Sequence, residues 1–405
     1  MDLNRLFFRI PSKRNRGPAP ITGSSLWRSS KMNEIYATLD HVTPTTVISN
    51  VDIVTEHSII ENGSLVVEQG RITEISPNKT ASGDITIDGR GAYLLPGFID
   101  IHGDSLENAI APRPAAPFPM EYALPAFDAE LTVHGITTMY YCVAMADLGE
   151  TLTKPLRKRE TVLENINAVN AFRNRARVRS NIHLRYEILD MDSLPLIQEL
   201  IADNAVDLLS IMDHTPGFGV FGSIEDYREY RKRSGGSLEK VDREIEERFR
   251  LREKVDLQAI AGLIGSCHDQ GIKTASHDDH TAEKVRQAKD LGINIAEFPV
   301  SEEAARAACE LDMRTVFGAA NLVRNQSHAG NVPASDMIQK DLCHIICSDY
   351  SPMCMLQGLF TMKKASRLPF PELVSIFSLN PARATGMDNL TGSIKEGKLA
   401  DLILV

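Results

Sequence analysis

The sequence predicts an α/β protein: a (β/α)8 TIM-like barrel with a small discontinuous β-sandwich domain formed by both chain ends. Between residues 96 and 388, short apolar runs alternate with helical patterns, as parallel strands joined by crossover helices require. Residues 46–95 and 389–405 instead contain β-rich runs broken by glycine turns. We therefore expect an N-terminal extension over 1–45, a β-domain from 46–95 plus 389–405, and a barrel over 96–388.

The first 31 residues of the N-terminal extension are rich in Arg, Lys, Ser and Pro, and Asp2 is the one acidic residue among them. This composition superficially resembles that of an organellar transit peptide. We favour a disordered tail, or a start codon assigned upstream of a true start at Met32. We expect no catalytic residue in this segment.

The β-domain is predicted from three runs near the N-terminus. They cover 47–54, then 64–75 with a turn at Gln69-Gly70, then 85–94 with a turn at Asp88-Gly89. The same pattern returns over 392–405, so we expect both chain ends to build one unit into which the barrel is inserted.

The barrel is predicted from eight apolar runs separated by helical patterns. In such a barrel, the carboxyl ends of the strands open into the loops that hold the active site. The runs cover residues 98–102, 136–142, 182–188, 206–212, 272–276, 293–298, 313–317 and 344–348.

Composition restricts the classes of function. A net charge of -10 and a pI near 5.6 argue against a nucleic-acid surface, and they require any anionic substrate to meet a locally basic pocket. No apolar stretch approaches the roughly 20 residues that span a bilayer, so we expect no membrane partner. The six cysteines form no Cys-x-x-Cys pair, which favours reduced thiols and a cytoplasmic location.

The first predicted barrel strand ends in His102-Gly103-Asp104. Side chains two residues apart on a strand point to the same face, so His102 and Asp104 converge. Alone, this pair is weak support for a metal site, because polar strand ends are common. The other strand ends strengthen the prediction.

Four further titratable residues lie at predicted strand ends. Three histidines and three carboxylates suit one or two divalent ions such as Zn²⁺, Mn²⁺, Fe²⁺ or Ni²⁺, although each residue could instead be a hydrogen-bonded structural group. Such ions lower the pKa of bound water from about 15.7 to near 7, which predicts hydrolysis. Glu187 is a plausible bridging carboxylate and Asp349 a plausible proton acceptor. The predicted ligands are His102, Asp104, Glu187, His214, His277 and Asp349.

Six further histidines receive no predicted chemistry, and the cluster that contains His280 is an open case. In the cluster His277-Asp278-Asp279-His280, Asp278 could orient an imidazole, but a helix N-cap by Asp279 explains the pattern nearly as well. The histidines without a predicted role are His41, His57, His134, His183, His268 and His344.

Residues 224–254 interrupt the alternation of strands and helices with a segment dense in charges of alternating sign. A solvated helical excursion is the default interpretation. A mobile lid remains the alternative, because the segment follows the fourth strand on the active-site side.

Three stretches of the chain have a recognisable pattern: Pro96-Gly97-Phe98-Ile99-Asp100-Ile101-His102, Asn380-Pro381-Ala382 and the Gly-x-Ala-Asp-type ending. Together they resemble the amidohydrolase superfamily. The chain carries His-x-Asp where most superfamily members have His-x-His, and Met-Asp-His where many have a carboxylated lysine, as the PhnM family does. The blocks that resemble the PhnM family are His102-Gly103-Asp104 with Pro112-Arg113-Pro114, Gly135-Ile136-Thr137-Thr138, Met212-Asp213-His214-Thr215-Pro216-Gly217, Ser276-His277-Asp278-Asp279, Ala296-Glu297-Phe298-Pro299, Asn321-Leu322-Val323-Arg324, Ser327-His328-Ala329-Gly330-Asn331-Val332 and Ser348-Asp349-Tyr350.

The resemblance implies an α-D-ribose 1-methylphosphonate 5-triphosphate diphosphatase of the carbon–phosphorus lyase pathway. Activated water would attack the α-phosphorus, and pyrophosphate would leave. Such an anionic substrate requires cations and donors around the metals. Arg185 and Lys273 are weaker candidates for these cations, because side chains within strands can face the surrounding helices. The implied substrate-binding residues are Arg113, Arg324, His328, Asn321 and Asn331.

Two alternatives stay open at this stage. The same ligands could serve an amidohydrolase that cleaves a C–N bond, although a neutral amide gives no reason for cationic loops such as those of Arg113 and Arg324. A metal-free scaffold of the same fold is the second alternative, and retention of all six ligands speaks against it. A homo-oligomer is compatible with the sequence but cannot be derived from it.

Overall fold

A computed structural model describes residues 44–77, 82–113, 116–218, 223–233, 237–324 and 332–405. Met32 and the expected N-terminal extension up to residue 43 lie outside these ranges. The boundaries between the expected domains stay a prediction.

Within the described ranges, eight parallel strands form the barrel sheet, and each pairs with the next along the chain. The barrel nearly closes where its first and last strands meet: the Asp349 amide donates to the His102 carbonyl at 2.9 Å, and the Asp104 amide donates to the Asp349 carbonyl at 2.7 Å. The predicted barrel is confirmed, and each predicted run overlaps an observed strand. The strands are β5 (Phe98–Gly103), β6 (Ile136–Met145), β7 (Arg179–Glu187), β8 (Leu208–Met212), β9 (Lys273–His277), β10 (Ile295–Glu297), β11 (Arg314–Gly318) and β12 (Ile345–Cys347).

Helices separate the barrel strands and cover the outside of the sheet. Local capping fixes where several begin; the Asp256 carboxylate accepts from the amides of Gln258 and Ala259 at the start of one helix. The helices are Ser105–Ile110, Met120–Val133, Arg159–Phe172, Leu194–Ala202, Ile224–Arg233, Leu238–Arg252, Leu257–Asp269, Ala282–Asp290, Glu302–Glu310, Ala319–Arg324, Ala334–Gln339, Cys354–Ala365, Phe370–Phe377 and Leu379–Thr385.

A second sheet of five strands combines both chain ends in the order β13-β4-β1-β2-β3. The expectation that both ends build one β unit is confirmed, and the turn at Gln69-Gly70 joins β2 and β3. The turn expected at Asp88-Gly89 is wrong, because β4 continues through it. A register shift against β1 absorbs the extra residues as a bulge, so the chain does not reverse. The strands are β1 (Thr46–Val54), β2 (Ile59–Glu68), β3 (Arg71–Pro77), β4 (Ile85–Pro96) and β13 (Leu402–Leu404).

The barrel interior changes from apolar to polar along its axis. Ala275 on β9 and Ile295 on β10 belong to the buried apolar cluster that fills the interior. Two residues further, on the same strand faces, come His277 and Glu297 at the carboxyl ends. The alternation of strand side chains therefore places the polar groups together at the mouth of the barrel.

Two expectations from composition can be compared with the fold. All six cysteines are free thiols, as expected. Among the helices described, none has both the length and the apolar character needed to cross a membrane.

Candidate active site

The mouth of the barrel brings most of the predicted ligands together. Five of the six, all except Glu187, belong to groups whose potential ligand atoms lie within 4.8 Å of one another. Three of the groups share His102. Among the described residues the groups are His102, Asp104 and Asp349; His102, His277 and Glu297; His214, His277 and Asp278; and His102, Cys142 and His183.

Glu187 contacts His214 instead. Its Oε2 lies 2.6 Å from Nδ1 of His214, and both carboxylate oxygens accept from the His214 backbone amide at 3.3 to 3.4 Å. The buried Glu187 therefore holds the imidazole and the start of the loop after β8. Its predicted bridging role between metals stays a prediction.

Two buried residues that sequence reasoning left without a role contact His102. Glu297, at the end of β10, accepts from His102 Nδ1 at 2.9 Å. His183, on β7, lies with Nδ1 2.9 Å from the carbonyl of Ile101 and Nε2 3.8 Å from Glu297 Oε2. Strand parity could have found both: His183 shares a strand face with Glu187 four residues later, and Glu297 shares one with Ile295.

The donor set fits a divalent cation. Three buried atoms, Nε2 of His102, Nε2 of His183 and Oε2 of Glu297, have no hydrogen-bond partner in the described structure. Leaving such a group unsatisfied costs about 1–3 kcal/mol, so three of them on neighbouring side chains call for a ligand. Imidazole nitrogens and carboxylate oxygens are donors that Zn²⁺ and similar ions accept.

Burial and neighbouring charges shift the pKa values of three predicted metal ligands. Burial, followed by the Arg185 charge, lowers the pKa of His102 to about 3, so this imidazole is neutral and can donate its lone pair. Burial, reinforced by the Asp104 charge, raises the pKa of Asp349 to about 8. Burial opposes ionisation of Asp104 itself, but the adjacent Arg185 guanidinium outweighs it and holds the pKa of this carboxyl below its usual value.

Three residues at the mouth adopt left-handed backbone conformations within two residues of a strand end. Their φ angles are 59° at Asp278, 52° at Phe298 and 57° at Asp349. Asp tolerates this conformation, whereas in Phe it is strained. The turn places the Phe298 ring edge-on against the imidazole of His102, with centroids 4.8 Å apart, and 5.3 Å from that of His277. Phe298 thereby orients two predicted ligands.

The alternatives for the His277-Asp278-Asp279-His280 cluster can now be separated. Asp278 Oδ2 accepts from Nδ1 of His277 at 2.7 Å, so Asp278 orients this imidazole. The alternative of an N-cap at Asp279 is wrong: Thr281 caps the next helix, and Asp279 accepts instead from Ser276 Oγ.

Three of the predicted cations lie in different parts of the barrel. Arg185, a weaker candidate from sequence because its side chain could face the helices, points into the barrel and contacts Asp104. Lys273 lies at the amino end of β9, four residues before His277. A strand rises about 3.3 Å per residue, so Lys273 is about 13 Å away, at the opposite end of the barrel. Arg324 donates to the hydroxyl of Tyr350, next to Asp349, at 3.1 Å.

Of the other predicted substrate-binding residues, two lie within the described part of the chain. Arg113 is exposed in the loop after helix Ser105–Ile110, and Asn321 is half-buried in helix Ala319–Arg324. His328 and Asn331 lie outside the described residues.

The loop after β6 adds two cations that sequence reasoning missed. Arg157 donates to both carboxylate oxygens of Glu107 at 3.1 and 3.2 Å. The Arg157 charge, followed by burial, lowers the pKa of Lys154, and the charges of Asp104 and Arg185 also act on it. Both cations follow β6, at the carboxyl ends of the barrel strands.

The charged segment 224–254 forms two helices, Ile224–Arg233 and Leu238–Arg252. The second contacts the loop after β8 at the mouth: Arg252 pairs with Asp213 and lies over the Phe218 ring, and Arg248 donates to the His214 carbonyl at 3.5 Å. The helical excursion is thus anchored on the active-site side. Its role as a lid stays a prediction.

Comparisons with known proteins agree with this architecture. A model of the amidohydrolase family matches residues 252–405. The chain is 35% identical over 369 residues to the alpha-D-ribose 1-methylphosphonate 5-triphosphate diphosphatase of Escherichia coli (strain K12), covering 88% of this chain and 94% of that protein.

Solved structures of low sequence identity share the fold. An N-acetyl-D-glucosamine-6-phosphate deacetylase from Mycobacterium smegmatis matches with a TM-score of 0.60 at 16% identity, covering 89% of this chain and 95% of that chain. A Xaa-Pro dipeptidase matches with a TM-score of 0.60 at 14% identity, covering 89% and 93%. At these identities the likeness concerns the fold alone.

The barrel, the polar mouth and the family match define a hydrolase of the amidohydrolase superfamily. Within that superfamily, the chain belongs to the PhnM family, as its sequence blocks predicted.

Proposed function

We propose that this protein is a metal-dependent diphosphatase that converts α-D-ribose 1-methylphosphonate 5-triphosphate into the 5-phosphate and pyrophosphate, in phosphonate catabolism by the carbon–phosphorus lyase pathway. The observation that carries the proposal is the 35% identity over 94% of the Escherichia coli diphosphatase. Its partner would be a small phosphorylated sugar phosphonate in the cytoplasm, where the six free thiols stay reduced.

The residues that would hold one or two divalent ions are the six predicted from the sequence. Glu297 would fix the tautomer of His102, and Glu187 would position His214. When bound, the ions would polarise a phosphoryl oxygen and acidify the attacking water.

Asp349 is the proposed proton acceptor in its ionised form, which the positive charge of a bound divalent ion would favour over the neutral acid. No hydrogen bond to its carboxylate occurs within the described part of the chain, so the group is available to a water molecule. Two hydrogen bonds hold its backbone: the Asp349 amide donates to the His102 carbonyl, and the Asp104 amide donates to the Asp349 carbonyl. The carboxylate therefore has a set position at the mouth, as proton transfer requires.

Cations around the mouth would bind the triphosphate. Arg324 is held beside Tyr350, Arg113 lies on the loop after the first barrel strand, and Lys154 and Arg157 lie on the loop after the second. A protein with a net charge of -10 repels anions in general, so these cations supply the local attraction. Guanidinium groups also neutralise charge that develops during phosphoryl transfer.

The experiment is ³¹P NMR of the metal-supplemented protein with the ribose 1-methylphosphonate 5-triphosphate, and with a nucleoside triphosphate in parallel. We expect pyrophosphate and the 5-phosphate as products, which locates attack at the α-phosphorus. The Asp349→Asn variant provides the background rate. An unchanged spectrum at confirmed metal occupancy would reject the proposal in favour of a C–N hydrolase, and absence of bound metal would favour the scaffold alternative.

A further inference from the structure

Arg185 occupies the centre of the proposed metal site. Its side chain is buried, with 6% of the residue exposed. Nη1 lies 2.7 and 2.6 Å from the two carboxylate oxygens of Asp104, and Nη2 lies 2.9 Å from Nε2 of His277. One guanidinium therefore joins two predicted metal ligands from different strands.

The hydrogen bonds define the tautomer of His277. Nδ1 faces the Asp278 carboxylate at 2.7 Å, and since a carboxylate accepts, Nδ1 carries the proton. Nε2 then holds the single lone pair of the neutral ring, and it accepts from Arg185. A metal ion could bind His277 through Nε2 only if Arg185 moved away.

Asp104 differs from His277, because a carboxylate has about four acceptor positions and Arg185 uses two of them. Asp104 can therefore still bind an ion on its other side. Nε2 of His102 has no hydrogen-bond partner in the described structure and lies 3.8 Å from Oδ1 of Asp104. His102, Asp104 and Asp349 form one compact group of potential ligands.

We propose that Arg185 takes the place of a second divalent ion, so that the centre holds one ion at His102, Asp104 and Asp349, with the guanidinium as a fixed cation beside it. This inference rests on the proposed metal-dependent function. An arginine is suited to the role, because it keeps its charge when buried and its two terminal nitrogens contact Asp104 and His277 at the same time.

The test is the binding of Mn²⁺ alone, measured as bound Mn²⁺ per chain after dialysis and by electron paramagnetic resonance. For the wild-type chain we expect one ion and the spectrum of an isolated Mn²⁺. Arg185→Met frees Nε2 of His277 and leaves Asp104 unpaired, so we expect two ions and a spin-coupled spectrum. Arg179→Met is the matched control: Arg179 lies on the same strand, at its amino end, where it pairs with Asp401 at 3.0 Å, and we expect one ion in that variant.

Two ions per wild-type chain would overturn the inference, as would a folded Arg185→Met variant that still binds one. The wild-type count is decisive even if the variant fails to fold. Activity is measured separately by ³¹P NMR. A chain that binds one Mn²⁺ without hydrolysing the triphosphate would reject the proposed substrate and leave the role of Arg185 intact.

Discussion

The Oε1 atom of Glu297 lies 2.9 Å from Nδ1 of His102, and both side chains are buried at the mouth of the barrel. A carboxylate accepts, so Nδ1 carries the proton and Nε2 keeps the lone pair that a metal ligand needs. We expect Glu297→Gln to weaken metal binding roughly 10- to 100-fold, because it removes the charge that holds this imidazole. Competition with a chromophoric chelator measures the effect, with Glu310→Gln on the exposed surface as control. Equal affinity in both variants would contradict the assigned role.

His102 itself is expected to be a metal ligand. His102→Ala should lower the ratio of bound metal to protein, measured by elemental analysis after dialysis. His57→Ala is the control, because the His57 side chain is 86% exposed in the small β unit. A ratio that His102→Ala leaves unchanged would remove this residue from the ligand set.

Asp349 is expected to act on the proton and to contribute less to holding the metal. Asp349→Asn should lower kcat by a factor of about 10²–10⁴ and should retain more bound metal than His102→Ala does. Asp341→Asn is a matched control, because Asp341 is exposed and has a similar left-handed φ of 59°. Near-normal turnover in Asp349→Asn would exclude the proton-transfer role.

Arg324 is expected to bind substrate phosphate. Loss of a charge-assisted hydrogen bond costs about 1.5–3 kcal/mol, so Arg324→Gln should raise KM for the triphosphate at least about tenfold and change kcat less. The surface variant Arg306→Gln, which breaks a helical pair with Glu302, should leave KM unchanged. Equal KM values in both variants would place Arg324 outside the substrate site.

Asp100 should make stability depend on pH. Burial raises the pKa of this carboxyl to about 6, although it accepts from the amides of Ser348 and His102. Because the folded pKa exceeds the unfolded value, the contribution is present below about pH 4 and is lost as pH rises through 6. At constant metal saturation, Asp100→Asn should gain up to about 3 kcal/mol relative to wild type between pH 4 and 7 in denaturant unfolding. A stability difference independent of pH would contradict this assignment.

Two sequence patterns were enough to predict most of the architecture. The β-runs bounded by glycine predicted the sheet of both chain ends, and the alternation of apolar runs with helical patterns predicted the barrel. Each predicted barrel strand was located because burial on both faces of a parallel strand leaves a continuous apolar run. The turn expected at Asp88-Gly89 was wrong because a turn-like dipeptide can also form a bulge, and only pairing with a neighbouring strand separates the two.

Within the site, sequence alone determined which residues end strands, and therefore that His102, Asp104, His277 and Asp349 would meet at one mouth. The tertiary structure decided what each side chain contacts. Arg185 and Asp104 are 81 residues apart, and Glu297 and His102 are 195 apart. Strand parity fixes the face from which a side chain projects, but the partner it meets across the barrel depends on the tilt and register of the closed sheet.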